Sequence, residues 1–592
     1  MTRMTTRHGQ PFDRFMFESV MKRRFFYTES FEIYRVSRGW NGDNKGLYDY
    51  GPPGCALQAN IVEAWRRHFV LEENMLELDC SVITPEPVLK TSGHVDKFAD
   101  WMCKDAIKGE YLRADHLVEK VLEARLQADS KGSVKISAKL DESLKAEYTD
   151  ILAKIDGYDG EQLGDLIKRF DIRNPDGNGE VLPPVPFNLM SGLLRVREFL
   201  MGEIEHFVDP NNKIHERFFE VAGTRLPLLD QDTQLAGSTV PRTLTVEEAV
   251  EAKIIDNETL GYFLARIHRF LLNIGIDESK IRFRQHMPNE MAHYACDCWD
   301  AELLTSYGWI ECVGCADRSA YDLTVHSNFT GADLKVKEAL PGGPIKREVW
   351  EATLDKKLAG PKFKKEIDVI QRSVTALDQS MLKALATKLS EEGVVKVETS
   401  VPLADGRKSV TLSSDFLSIR KTTRLETTRE YTPNVIEPSF GIGRILYSLL
   451  EHVYWYRQHD TARVVLALPI AIAPTKVLIA PISGQPHFKS VIRKLAARLR
   501  TLGISNIIDS SSASLGKRYA RNDELGTPLA ITIDHTTLLD GSITLRERDS
   551  TNQIRDSEDG VVRVVKSMVD GLETWDMVAE RLPSFTTGNL EN

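Results

Sequence analysis

Three short stretches carry residue types suited to the handling of charged small molecules. The first is "FNLMSGLLRVREFLMGEIEHF", residues 187 to 207, in which Arg195, Phe199 and Glu203 fall at steps of four. Read as a strand, it puts Arg195, Arg197, Phe199, Met201, Glu203 and Glu205 on one face. Read as a helix, it has an apolar stripe of Leu193, Val196, Leu200, Ile204 and Phe207, and periodicity alone leaves both readings open. In either case a cation, a flat ring and a carboxylate stand in a row, which suits a phosphate, a base and an ammonium group. The second stretch is "NVIEPSFGIGRILYSLLEH", residues 434 to 452, where a strand-like run through Glu437 reaches Pro438, Ser439, Gly441 and Gly443. A helix then opens with Arg444 in its first turn, a place where backbone amides and a cation favour an anion. The third is "YGWIECVGCADRSAYD", residues 307 to 322, with Glu311 and Cys312 inside an apolar strand pattern. A carboxylate there is costly unless it meets a cation, a metal ion or hydrogen-bond donors.

Elements must position these stretches, and the chain is long enough for several. At 592 residues it exceeds one ordinary hydrophobic core, so two or more domains are expected. With 42% apolar and 27% charged residues and no run of 18 uncharged apolar residues, it reads as a globular protein that does not span a membrane. The net charge of −10 argues against indiscriminate binding to DNA or other nucleic acid, which requires phosphates to be neutralised by Lys and Arg. Met1 to Gln10 holds Arg3 and Arg7 but no apolar secretory stretch, so the expected compartment is the cytoplasm, with a mitochondrial form left open. Seven cysteines are too few for a disulfide framework, and Cys296-x-Cys298 with Cys312-x-x-Cys315 reads as strand cysteines rather than a zinc knuckle.

Along the chain, Leu57, Ile61, Trp65, Phe69 and Val70 mark a helix toward Leu76, and Leu78 to Thr84 alternates as a strand that Pro85 ends. Charged, turn-rich insertions are expected at about 103–180 and 335–425. From about residue 473 strands alternate with helices: 475–482 and 528–534 and 542–549 as strands, 487–503 as an amphipathic helix. That alternation predicts a separate small α/β domain.

Together with "RRFFYTESFEIY", "GLYDYGPPG", "TPEPVLKTSGHVDKFADWM", "RFRQHMPNEMAHYACDCWDAE" and "SLGKRYARNDELGTP", these motifs cover nearly the whole chain. They resemble the eukaryotic and archaeal type of glycyl-tRNA synthetase, a class II aminoacyl-tRNA synthetase. The resemblance implies an α+β fold: a class II antiparallel-sheet catalytic domain at 11–460 carrying the two insertions, then an α/β anticodon-binding domain at 470–585. It implies a strand for Arg195-x-x-x-Phe199-x-x-x-Glu203, glycine and tRNA(Gly) as substrates, ATP with Mg²⁺, and a homodimer built on the helix and strand before Pro85. By resemblance Arg195, Val196, Phe199, Glu311, Cys312 and Arg444 contact ATP, Arg195 and Arg444 being catalytic and Glu311 lying at the metal ion. Glu203, Glu437, Pro438 and Ser439 resemble the glycine pocket. Lys517, Arg518, Arg521, Arg546 and Arg548 make a candidate basic surface for tRNA.

One departure stands out. In the family several dozen residues separate the counterparts of "FNLM" and "SGLLRVREF", including an L-R-P-E-T-A-Q-G segment with a glycine-site glutamate and an R-N-E strand whose arginine holds the ATP α-phosphate. Here Met190 runs directly into Ser191. Loss of one preorganised donor of this kind costs about 2.7–4 kcal/mol, roughly 10²- to 10³-fold in rate. Adenylate formation by this chain is therefore expected to be impaired, the alternative role being a non-catalytic dimer that binds tRNA or a protein. "HERFFE", 215–220, holds an arginine and a glutamate but follows the motif instead of preceding it.

Overall fold

Gly51-Pro52-Pro53-Gly54 starts the first long helix for a local reason. Gly51 is the N-cap, and prolines, which have no amide to leave unpaired, fill the first helical positions. The computed structural model describes residues 4–31, 48–81, 84–97, 99–107, 109, 111–130, 141–175, 178–188, 200–340, 342–399, 401–403 and 406–585. In it α1 (Arg14–Arg23) precedes α2 (Pro52–Trp65), which runs on as a π-helical turn over Arg66–Leu71. The strand expected from Leu78 does not form over residues 78–81, and Leu76 and Leu78 are 95% and 85% exposed. Alternation supplies a strand's side-chain pattern but not the neighbour that its backbone must bond to.

The catalytic-type sheet is assembled from β1 (Met201–Glu203), β2 (His206–Val208), β3 (Arg225–Leu229), β4 (Arg242–Thr245), β5 (Ile281–Gln285), β6 (Asp297–Thr305), β7 (Gly308–Asp317) and β8 (Asn434–Gly441). Its order is β1-β8-β7-β6-β5-β3-β4, with β2 also on β8. All pairings are antiparallel except β5 with β3. The sheet is thus mixed at one contact and otherwise antiparallel, as the resemblance implied. Its first strand is three residues long, and residues 189–199 ahead of it lie outside the described set. Helix α3 (Glu258–Asn273), capped by Asn257 accepting from the Leu260 amide, buries Leu260, Phe263, Leu264, Ile267 and Phe270 in the main core. Also in that core are Ile445, Leu446, Leu449 and Leu450, the apolar stripe of a second helix, Ile442–His452.

The first insertion has its own core. Strand 99–104 lies between 111–113 and 185–188, and helices 114–130, 142–154 and 160–169 bury Val118, Leu122, Ile151, Leu163 and Ile167.

In the C-terminal region the three strands and the amphipathic helix that the pattern predicts are formed, joined by two strands it does not show. Strands β9 (Val477–Pro481), β10 (Asn506–Ile508), β11 (Leu529–Ile533), β12 (Ser542–Glu547) and β13 (Gln553–Ser557) make one sheet in the order β10-β9-β11-β12-β13. Ile492, Leu495, Ala496 and Leu499 of the helix Phe488–Thr501 are buried with Ile479, Ile531 and Val561. The helix Leu515–Asp523 ends on two buried carboxylates that tie this domain to the rest of its unit. Asp523 meets Arg546, Arg457 and Arg463 at 3.1, 3.2 and 3.7 Å, and Glu524 meets Arg24 and Arg23 at 2.5 and 2.9 Å.

By contacts the chain divides into two compact units, Met1–Ala332 with Pro433–Asn592, and Asp333–Thr432. The second unit is built on the antiparallel pair Ile345–Leu354 and Leu417–Glu426, with a smaller pair at 394–398 and 409–413. Leu354, Ile370, Val374, Val395, Val397 and Leu412 form its core, while Lys362, Lys364 and Lys365 are exposed. The charge runs there are solvated faces.

Candidate active site

One face of the sheet carries alternating cations and carboxylates. Arg282 and Arg284 on β5 stand opposite Glu302 and Asp300 on β6. Arg282 Nε lies 2.5 Å from Glu302, and Arg284 reaches Glu290 at 2.6 Å and Asp300 at 3.2 Å. A β-bulge between Ala301 and Glu302 shifts the β6–β7 register so that Glu302 stands opposite Glu311. Two carboxylates are thereby brought side by side, an arrangement that favours a cation between them. Arg444 answers from the helix start: Nη1 donates to the Glu311 carbonyl at 2.8 Å and lies 3.3 Å from its carboxylate. Both side chains remain more than half exposed, so the pair is open to solvent. Burial by surrounding protein and then the nearby charge of Asp300 raise the Glu311 pKa, against the pull of Arg444. Asp300 Oδ1 and Glu311 Oε1 lie 3.8 and 3.9 Å from where a Cβ at Gly314 would stand, two oxygens of the hard type that Mg²⁺ takes as ligands.

Beside this wall, His286 Nε2 lies 2.8 Å from Asp300 and 3.7 Å from the Cys298 thiol. Burial alone would lower His286, but the hydrogen bond and charge of Asp300 override it, and the imidazole is pushed up to about 12. Among the described residues this is the His/Cys/Asp group close enough to consider for a metal, and Arg284 already shares its carboxylate. Cys312 and Cys315 do not join it; Cys312 points back to Ser448, 3.6 Å away, and burial pushes its thiol up to about 12.

The third cluster surrounds Glu437. Arg318 Nη1 donates to Glu437 Oε2 at 2.6 Å, and Ser439 Oγ donates to Oε1 at 3.1 Å. The guanidinium also reaches Asp322 at 2.7 Å and lies 4.1 Å from the ring centre of Tyr294, which His94 covers in turn at 5.6 Å. Backbone bonds hold this arginine: its amide donates to the Val435 carbonyl, and the Val435 amide donates to Ser319. Across from β8, Glu203 pairs with Ser439, and the Pro438 carbonyl accepts from Ile204 at 2.9 Å. Pro438 is buried and shapes the strand, while Glu437 and Ser439 are half-buried. Burial raises Glu437, Arg318 opposes the shift, and Glu203 adds to it. Sequence reasoning missed Arg318, Tyr294 and Arg284; the available signal was that Glu437, inside an apolar strand, needed a cation.

The cluster thus brings Glu203, Glu437 and Ser439 together, and joins Glu311 to Arg444. Arg195, Val196 and Phe199 lie outside the described residues. Arg217 of "HERFFE" pairs with Glu73 and Glu220. The candidate tRNA surface needs correction. Arg518, Arg546 and Arg548 are 3%, 4% and 4% exposed. Arg518 donates to the carbonyls of Pro481 and Asp509, Arg546 pairs with Asp523, and Arg548 donates to Leu468 and Gly526. Their alternation on a strand and their place on a helix looked like a basic face, but buried carbonyls and a carboxylate claim those donors. Lys517 stays exposed, and the half-exposed Arg521 is tied to Asp509 at 2.6 Å.

The chain is similar to known proteins over nearly its whole length. Residues 476–568 match the family described as "Anticodon binding domain". A putative glycine–tRNA ligase of Schizosaccharomyces pombe is 48% identical over 652 residues, spanning 97% of this chain and 98% of that protein. The mitochondrial glycine–tRNA ligase 1 of Saccharomyces cerevisiae is 47% identical, with 98% and 94% covered, and the Bombyx mori glycine–tRNA ligase is 41% identical, with 97% and 83% covered. At this identity, and over almost the full length of both partners, the chain belongs to the glycine–tRNA ligase family.

Proposed function

We propose that this protein is a glycine–tRNA ligase, condensing glycine with ATP to glycyl-adenylate and passing the glycyl group to the 3′ end of tRNA(Gly). The observation that carries the reading is the small acidic pocket of Glu203, Glu437 and Ser439 beside Arg318, in a chain of this family. The carboxylates receive the ammonium group. Glycine's carboxylate then attacks the α-phosphorus as pyrophosphate leaves, and Arg444 with the β5 arginines faces the charge that develops. Glu311, with Asp300 across the strand, is the proposed holder of Mg²⁺, which when bound would screen the phosphates. Crowding around the α-carbon would exclude an added methyl.

The tRNA is assigned to the C-terminal domain, with Lys517 and Arg521 as the contacts left after burial removes the other three. A homodimer is proposed on the face that leaves Leu71, Leu76 and Leu78 exposed at 68%, 95% and 85%. No helix among the described residues is long and apolar enough to cross a membrane, and the proposed compartment is the cytoplasm, a mitochondrial form remaining open.

A second reading has its own support. The match to the S. pombe relative extends over 652 residues against the 592 of this chain, so that relative carries residues without a counterpart here. We place the missing stretch between Met190 and Ser191, which would impair adenylate formation and leave a dimer that binds tRNA or a protein. Glycine-dependent exchange of pyrophosphate into ATP tests both readings, run beside a chain with the stretch restored. Exchange by both chains supports the ligase as it stands. Exchange by the restored chain alone supports the binding role, and exchange by neither refutes the site.

A further inference from the structure

β1 and β2 lie on the same edge of β8, and the register between them is continuous. Glu203 stands opposite Ser439, the Ile204 amide donates to the Pro438 carbonyl at 2.9 Å, and His206 stands opposite Ile436. Glu205 is therefore directly across from Glu437. Residues opposite one another in an antiparallel pair project from the same face, so their side chains are neighbours. Glu203, two positions along, shares that face as well.

Like charges directly opposite each other destabilise a sheet unless something positive or a proton lies between them. Among the described residues the cation on hand is committed: Arg318 is bound to Glu437 Oε2 and Asp322 and is seated on Tyr294. Glu205 is exposed, and Glu437, Arg318, Glu203 and Asp322 all act on it electrostatically. Among the described residues four carboxylates thus share one arginine, and three of them lie on or between the facing strands β1, β2 and β8. Burial among neighbours and then the charge of Glu437 push Glu205 up to about 7, as expected for a carboxylate awaiting a cation.

We propose that Glu205 is a third carboxylate of the amine pocket, holding the ammonium group of the substrate between itself and Glu437. The proposal rests on the reading of this pocket as the glycine site. It gives the cross-strand pair a function: a compact ammonium, with three donors, bridges two opposed carboxylates and a third beside them, which a larger or uncharged group would not do.

The test is binding by the full chain of glycine, methylamine (the ammonium alone) and acetate (the carboxylate alone), followed by saturation-transfer NMR. Glu205→Gln is expected to weaken glycine and methylamine at least fivefold and leave acetate unchanged, with Glu205→Asp between the two. Circular dichroism and a thermal melt check both variants, and if Glu205→Gln does not fold, Glu205→Asp decides. Binding of glycine and methylamine within twofold of the unaltered chain overturns the proposal. If Glu437→Gln still weakens glycine in that case, the pocket reading survives without Glu205. If Glu437→Gln is also silent, or the unaltered chain binds no glycine, both fall together.

Discussion

Arg318 ties together the proposed amine pocket, although no motif singled it out. It neutralises Glu437, bonds Asp322 and rests on Tyr294, and it is largely buried. Arg318→Gln keeps some hydrogen bonding but leaves Glu437 without its charge partner. Removing one member of a buried pair costs about 3–5 kcal/mol, an upper bound at this partly open site. The expected outcome is a lower melting temperature together with at least tenfold weaker glycine binding; a variant that melts lower but binds normally would make Arg318 purely structural. Glu205 gives a pH test. Its folded pKa of about 7 lies above the ordinary carboxylate value, so its stabilising share is complete at low pH and is lost as pH rises through 7. Ligand binding has the opposite sign, because ammonium prefers the ionised carboxylate. Glycine affinity should therefore rise between pH 6 and 8 and flatten in Glu205→Gln, as titration at several pH values would show. Glu437, Glu203, Arg318 and Asp322 face Glu205; His94, beyond Tyr294, is held below its usual range by burial.

Two elements are set by contacts that no local pattern displays. Leu515–Asp523 looks like a basic helix, yet its C-terminal end is the acidic anchor of the C-terminal domain, with Asp523 held by Arg546, Arg457 and Arg463. Asp523→Asn should strip charge from that buried cluster, lower the melting temperature by several degrees and weaken tRNA binding in a gel-shift assay, since the helix carrying Lys517 and Arg521 loses its seat. The start of α2 is tight in a different way. A Cβ at Gly54 would run into the Phe26 carbonyl, which cannot move as a side-chain tip can. Gly54→Ala should destabilise by about 1–3 kcal/mol or more in urea unfolding, with an unchanged midpoint refuting this tight approach.

At the scale of the molecule, buried histidines set the acid limit. His452 donates from Nε2 to the Leu304 carbonyl and accepts at Nδ1 from the Asp277 amide, so both nitrogens are used by the neutral ring. Burial pushes His452 and His68 down to about 4. The unfolded chain therefore binds more protons between pH 6.5 and 4, and stability falls as pH drops through that window, by about 1.4 kcal/mol per pH unit for each ring. Urea midpoints at pH 7 and 5 should differ less in His452→Gln than in the unaltered chain. The dimer proposal makes a separate prediction: Leu76→Glu with Leu78→Glu should shift the sedimenting species toward monomer without changing the melting of each unit, whereas an unchanged dimer would place the interface elsewhere.

How much was legible follows from what each level needs. Helices with a cap, a stripe and a terminator are local, so α2, Ile442–His452 and Phe488–Thr501 stood in the sequence, as did β9, β11 and β12 of the C-terminal domain, whose apolar runs are bounded by turns, while the short β10 and β13 did not. The motifs placed Glu203, Glu437, Ser439, Glu311 and Arg444 on the right elements for the same reason. The residues from Leu78 were patterned as a strand and form none where described, because hydrogen bonds come from a neighbour the pattern does not contain. Arg518, Arg546 and Arg548 looked like a surface because charge is visible in sequence and burial is not. The sequence by itself determined the family, the order of elements and the chemical types at the site. Tertiary structure decided which charges meet, since Arg318 finds Glu437 only when β7 lies against β8, and Glu205 faces Glu437 only through the register of β1 and β2 on that same strand.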